Sequence, residues 1–174
     1  MEILLNADQI AASIDDLVNR IKSDIPADSE IAIIGIRSRG EILAQRLGQQ
    51  LSDYFSGQIL RGTLDITLYR DDLNEPKDTQ PMVRSTEIEF DVSGKLILLV
   101  DDVLHTGRSV RAAMDALTDM GRPSAVRLAV MVDRGQHEYP ISADYIGLQT
   151  VVDADKSVCV HFIETDQEDR VIVE

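Results

Sequence analysis

A chain of 174 residues is long enough to bury a core without disulfides or a structural metal, and it fits one domain spanning residues 1–174. Hydrophobic residues make up 44% and charged residues 28%, as in ordinary soluble globular proteins, while 4% aromatics and no Trp exclude a stacking platform for single-stranded nucleic acid. A net charge of −14 repels phosphate backbones at long range but still allows a local basic pocket to bind a small anion.

The N-terminus, Met1 to Asn6, carries no basic region followed by a long apolar stretch, and no segment has the length of a membrane span. A soluble, unprocessed, cytoplasmic chain is expected. The single Cys159 lies in the apolar run Val158-Cys159-Val160 and reads as strand packing in a reducing compartment.

In chain order, Ile10, Ala11, Ile14, Leu17, Val18 and Ile21 recur at helical spacing and predict an amphipathic helix over 7–22, capped by Asn6 or Asp8. Ile31 to Ile36 is a short continuous apolar run, the pattern of a strand buried on both faces. A tight turn, Arg37-Ser38-Arg39-Gly40, and a helix over 41–52 follow. Residues 58–70 alternate through Leu64, Ile66 and Leu68 as a long strand. Asp71 to Thr86 is polar and broken by Pro76 and Pro81, which predicts a long mobile loop of the kind that covers a site. Glu87 to Phe90 could return as the second strand of a hairpin. Leu96 to Val100 is a further buried strand, residues 109–120 a helix ended by Gly121 and Pro123, and Val126 to Val132 another core strand. Tyr145-Ile146 and Val158 to Ile163 complete the set. The acidic segment Glu164 to Asp169 reads as a solvated turn before Val171-Ile172-Val173.

Alternating strands and helices predict an α/β fold with a mostly parallel sheet covered by helices. Ligands of such sheets bind beyond the carboxyl ends of the strands, where the turns at 37–40, 101–109 and 133–137 emerge. The most informative of these is Asp101-Asp102-Val103-Leu104-His105-Thr106-Gly107-Arg108-Ser109. An apolar strand delivers two carboxylates to the edge, and a Thr-Gly turn then opens a helix. Backbone amides there, with the Thr106 and Ser109 hydroxyls, suit a phosphate monoester, and Gly107 lets the backbone approach it. Asp101 and Asp102 would accept hydrogen bonds from vicinal sugar hydroxyls beside that phosphate. Helix capping explains one Asp; a second at the end of an apolar strand costs desolvation unless something binds it.

The run Val100 to Ser109 resembles the motif by which type I phosphoribosyltransferases bind 5-phosphoribosyl-1-diphosphate (PRPP). Leu64 to Leu73, Met114 to Leu117 with Gly121-Arg122-Pro123, and Leu128 to Gly135 are similar to the bifunctional pyrimidine-operon regulator and uracil phosphoribosyltransferase (PyrR-like) subfamily. The resemblance implies a type I phosphoribosyltransferase fold, a twisted parallel sheet flanked by helices, with a mobile hairpin loop and a small hood. It implies that Asp101 and Asp102 bind the ribose hydroxyls and stabilise charge at the ribose, and that Val103, Leu104, His105, Thr106, Gly107, Arg108 and Ser109 cradle the 5-phosphate. Gly35 to Gly40 resembles the pyrophosphate loop, with Ser38, Arg39 and Gly40 on the diphosphate and Arg39 assisting its departure. Arg70 and Lys77 would close over it. Arg134 resembles a substrate-contacting arginine, and backbone amides around Ile146 and Val158 would read the base. The reaction implied joins uracil and PRPP to give UMP and diphosphate, with Mg²⁺ held mainly through PRPP and water rather than by a protein cage. His105 stands where the family often has Tyr and reads as a loop contact. A homo-oligomer is also implied.

The chain departs from the subfamily at Gln136 to Asp144 and at Gly147 to Val152, where basic side chains are lost, and in the first helix. Those groups resemble the ones the regulators use to grip messenger RNA, so their loss and the charge of −14 argue against RNA binding. Three functions follow: a uracil phosphoribosyltransferase, a nucleotide-sensing RNA-binding regulator of pyrimidine genes, and a phosphoribosyltransferase for another base.

Overall fold

The computed structural model describes residues 2–71 and 85–174. Strand β1 (Glu2–Leu5) leads into α1 (Ala7–Asp24), β2 (Ile31–Ile36), α2 (Arg39–Leu51) and β3 (Leu60–Leu64). β4 (Leu96–Leu104), α3 (Arg108–Met120), β5 (Ala125–Asp133) and β6 (Tyr145–Gln149) follow. The chain ends in β7 (Val158–His161), a single helical turn α4 (Ile163–Asp166) and β8 (Arg170–Val173).

Helix α1 buries Ile10, Ile14, Leu17, Val18 and Ile21, and Asn6 caps it. The Asn6 side chain accepts from the Gln9 amide at 3.0 Å, and the Gln9 side chain accepts from the Asn6 amide at 2.9 Å, a reciprocal capping box. The main sheet has the order β3-β2-β4-β5-β6, every pair parallel. All six residues of β2 are buried because helices cover both faces. Ile31, Ile33, Leu98 and Val100 pack with α1 and α2 on one side, and Ala32, Ile34, Ile97, Leu99 and Val130 pack with α3 on the other.

From β2 the chain moves outward to β3, then returns across β2 to form β4 and continues the opposite way. β2 and β4 are therefore neighbours at the point where the winding reverses, and the crevice opens there. A second sheet, antiparallel in the order β1-β8-β7, joins the two chain ends into the hood.

Three sequence expectations change. The strand expected over 58–70 stops at Leu64, because the Asp65 carboxylate accepts from both the amide and the hydroxyl of Thr67, at 2.9 and 2.6 Å, and turns the chain into a 3-10 turn over Thr67–Tyr69. Leu68 is left exposed. Glu87 to Phe90 forms no strand; it contributes one antiparallel bridge, Thr63 to Glu87. The acidic segment 164–169 is not a solvated turn, as its contacts with α2 show below. Most of the loop expected over 71–86 lies outside the described residues.

Asn6→Ala removes half of the capping box and is expected to cost about 1 kcal/mol. A chemical denaturation midpoint should fall accordingly with an unchanged slope.

Candidate active site

Two helices begin at adjacent strand ends. Gly35 of β2 is level with Val100 of β4, so the turn at 37–40 leaves the sheet beside the acidic pair, which lies within β4, where the ladder with β5 continues to Leu104. Helix α2 starts at Arg39 with Ser38 in the cap position, its hydroxyl making no capping bond. Gly40 is buried against β4: a Cβ there would stand 2.6 Å from the Val100 carbonyl oxygen and 3.3 Å from Asp101 Oδ1. Only glycine lets the diphosphate-type turn come that close to the carboxylates.

Asp101 is 7% exposed, and its Oδ1 accepts from the Asp102 amide at 2.9 Å. Burial raises its pKa well above the carboxylate range; the Asp102 charge and a side-chain bond to Asp102 push the same way, while Arg70 opposes them. Asp102 is half-buried. Beyond it, Gly107 adopts φ 89° and sets the start of α3, and a Cβ would meet Tyr139 at 3.3 Å. The Thr106 carbonyl accepts from the amides of Glu138 and Tyr139, at 2.9 and 3.1 Å, so the segment after β5 braces this turn. A cavity of about 370 Å³ is lined by residues 103–110 together with Arg70, which joins the base of the 71–86 segment to the phosphate-type turn. Leu104 itself is buried in the core, which leaves only its backbone to the cavity. His105 faces Gln136, Nε2 to Oε1, at 3.3 Å.

The arginines have specific partners. Arg37 donates to the Ser85 carbonyl and the Thr63 hydroxyl and pairs with Glu41 and Glu87, which ties it to the sheet's edge. Arg39 is held by Asp166 through two bonds, Nη2 to Oδ1 at 2.7 Å and Nε to Oδ2 at 3.2 Å. Arg108 pairs with Asp71 and Glu138, each at 2.7 Å, and lies 5.3 Å from the Tyr139 ring centre. Arg134 is 4% exposed and donates to the carbonyls of Lys156, Asp153 and Val152 at 2.7, 3.1 and 3.4 Å, so it clamps the loop between β6 and β7. Lys77 lies outside the described residues.

Register locates the expected base-reading residues. Ile146 is level with Val130 and, through it, with Asp101; its carbonyl accepts from Arg20. β6 reaches the edge only at Gln149, level with Asp133 and Leu104. Val158 belongs to the hood, opposite Val173. Beyond Gln149, within the segment that the sequence marks for its lost basic side chains, the Thr150 amide donates to the Asp133 carbonyl and the Val152 carbonyl accepts from Gln136 at 3.1 Å. Sequence reading missed Asp166. Arg39 and Arg46, seven apart on one face of α2, and the four carboxylates of 164–169 are visible in the sequence, but nothing local pairs them.

A buried carboxyl whose pKa is raised keeps its proton in the folded chain after the unfolded chain has released it. Its contribution to stability therefore declines as pH rises from about 4 through the raised folded value. Asp101→Asn is expected to remove that decline and to raise the ligand-free Tm at pH 7, by about 2–4 °C for each kcal/mol recovered. Thermal melts of both proteins across pH 4–8 check this; a gap between them that does not widen with pH contradicts it.

The phosphoribosyl transferase domain family matches residues 1–163. The chain is 45% identical over 170 residues to the bifunctional protein PyrR of Pelotomaculum thermopropionicum, covering 98% of this chain and 93% of the relative. It is 45% identical over 168 residues to that of Deinococcus radiodurans, covering 97% and 91%. Among solved structures, the hypoxanthine phosphoribosyltransferase of Trypanosoma cruzi superposes with a TM-score of 0.73 over 99% of this chain and 95% of its own, at 18% identity, which speaks to fold alone. A parallel sheet with two helix N-termini and an acidic pair at its switch point, a hood joining the chain ends, and relatives this similar over nearly the whole length lead to one conclusion: the chain belongs to the type I phosphoribosyltransferase family, as a PyrR-like member.

Proposed function

We propose that the chain is a uracil phosphoribosyltransferase, one domain over its whole length, which joins uracil to PRPP to give UMP and diphosphate with Mg²⁺. One observation carries the reading: two anion-suited helix starts, at Arg39 and Arg108, follow the adjacent parallel strands β2 and β4 and flank the pair of carboxylates on β4. That order of charges matches the diphosphate, ribose hydroxyls and 5-phosphate of PRPP.

In this reading Ser38, Arg39 and Gly40 hold the diphosphate, and Arg70 and Lys77 are further cations assigned to it. Asp101 and Asp102 accept from the ribose hydroxyls. Residues 103–109 hold the 5-phosphate through amides and hydroxyls, with Arg108 acting as a strut through Asp71 and Glu138. Arg134 fixes the loop between β6 and β7, and backbone amides around Ile146 and Val158 supply the groups that read uracil. Departure of diphosphate leaves positive charge at the anomeric carbon, which the acidic pair stabilises. Mg²⁺ would be carried mainly on diphosphate oxygens and water. When bound, the ion neutralises the leaving group.

The relatives are named bifunctional, which favours a second activity and supports pyrimidine-gene regulation through RNA as the alternative. The net charge of −14 opposes it. Binding to a pyrimidine-operon leader that weakens steeply between 50 and 200 mM salt would support the regulator, and no binding at low salt rejects it.

Diphosphate release from PRPP should require uracil among a panel of bases. Asp101→Asn/Asp102→Asn should lower it by roughly 10²–10⁴-fold, the loss of two charge-assisted hydrogen bonds. Release with a different base alone overturns uracil, and no release with any base overturns the enzyme.

A further inference from the structure

The acidic segment at the end of the chain grips α2 at two places. Arg46, two helical turns beyond Arg39, pairs with Glu164 at 2.6 Å and Asp169 at 2.8 Å, and lies 4.7 Å from the Phe162 ring centre. That network already docks α4 on α2. Asp166 does something separate. Its Oδ2 accepts from the Phe162 amide at 3.0 Å and the Thr165 hydroxyl at 2.8 Å, so its carboxylate is fixed before it meets Arg39. It then takes only the Nε–Nη2 edge of the guanidinium. Nη1 makes no hydrogen bond among the described residues, and the Arg39 side chain is 37% exposed.

We propose that Asp166 is a positioning residue for the diphosphate subsite, presenting the remaining edge of Arg39 to the anion from the opposite sheet of the molecule. This rests on the reading of the 37–40 turn as the diphosphate site. An arginine recognises phosphate through a planar fork, and fixing one edge of that fork orients the other. Asp102 also attracts Arg39. Without Asp166, a flexible guanidinium would turn toward Asp102 and occupy the carboxylate assigned to the ribose. The salt bridge thus prepays the side-chain ordering that diphosphate binding would otherwise cost. Arg39 holds Asp166 well below the usual carboxylate range, so the pair stays charged at any working pH.

Calorimetric titration of the full chain with PRPP, inorganic diphosphate and ribose 5-phosphate, each with Mg²⁺, tests this. Asp166→Asn should weaken PRPP and diphosphate roughly tenfold, one charge-assisted contact's worth, and leave ribose 5-phosphate unchanged. Asp166→Glu should recover part of the loss. In an Arg39→Ala background Asp166→Asn should cost nothing further. Asp169→Asn, which loosens the other tether, should lower Tm without moving diphosphate affinity. Wild-type diphosphate affinity in Asp166→Asn, an equal loss for ribose 5-phosphate, or a full penalty in the Arg39→Ala background overturns the role. Failure of the wild type to bind PRPP or diphosphate overturns it together with the diphosphate reading.

Discussion

The parallel pairing of β2 with β4 is the constraint on which the molecule's design turns. Because the chain leaves β2 toward one side of the sheet and returns to build β4 on the other, α2 and α3 cover opposite faces while starting from neighbouring strand ends. Two helix N-termini, each with a partial positive charge, therefore open onto one crevice. No single element makes an anion site of that span. The crossover does, and the apolar ladders of β2, β4 and β5 hold it rigid.

Closeness at that crevice has a steric condition and an electrostatic one. Gly40 satisfies the first, since any Cβ would strike the Val100 carbonyl. The second falls on Asp101, which is buried within β4 just beyond its apolar run, with its pKa raised. A carboxyl in that position destabilises the empty protein and favours a ligand that offers hydroxyl donors. The site is therefore a place where stability is given up for binding, in an otherwise conventional core.

Around this centre, long polar side chains act as struts between segments rather than as isolated charges. Arg134 gathers three carbonyls of the loop between β6 and β7, Arg108 joins the phosphate-type turn to Asp71 and Glu138, and Arg39 and Arg46 fasten the hood to α2. The charge of −14 is thus unevenly spread: acidic side chains are spent on orienting the few arginines that line the crevice. A basic site on an acidic protein needs that local pairing, since an unpaired guanidinium would be free to collapse onto the acidic pair.

By itself the sequence determined the three long helices, the buried strands and the Thr-Gly turn that opens α3. Ile31 to Ile36 and Leu96 to Val100 could be read because a strand covered on both faces must be continuously apolar, and Gly107 because a left-handed turn before a helix favours glycine. Local rules failed where a side chain overrode periodicity, as when Asp65 captured Thr67 and ended β3 early. Only the tertiary structure decided which carboxylate meets which arginine. Asp166 lies 127 residues from Arg39 and Asp169 lies 123 from Arg46, and no period or propensity links such pairs. It also decided that Ile146 stands level with Asp101 and Gln149 with Leu104, because register is set by packing against β5. Contacts of that range depend on how the two sheets close on each other, a property of the folded chain and of no segment within it.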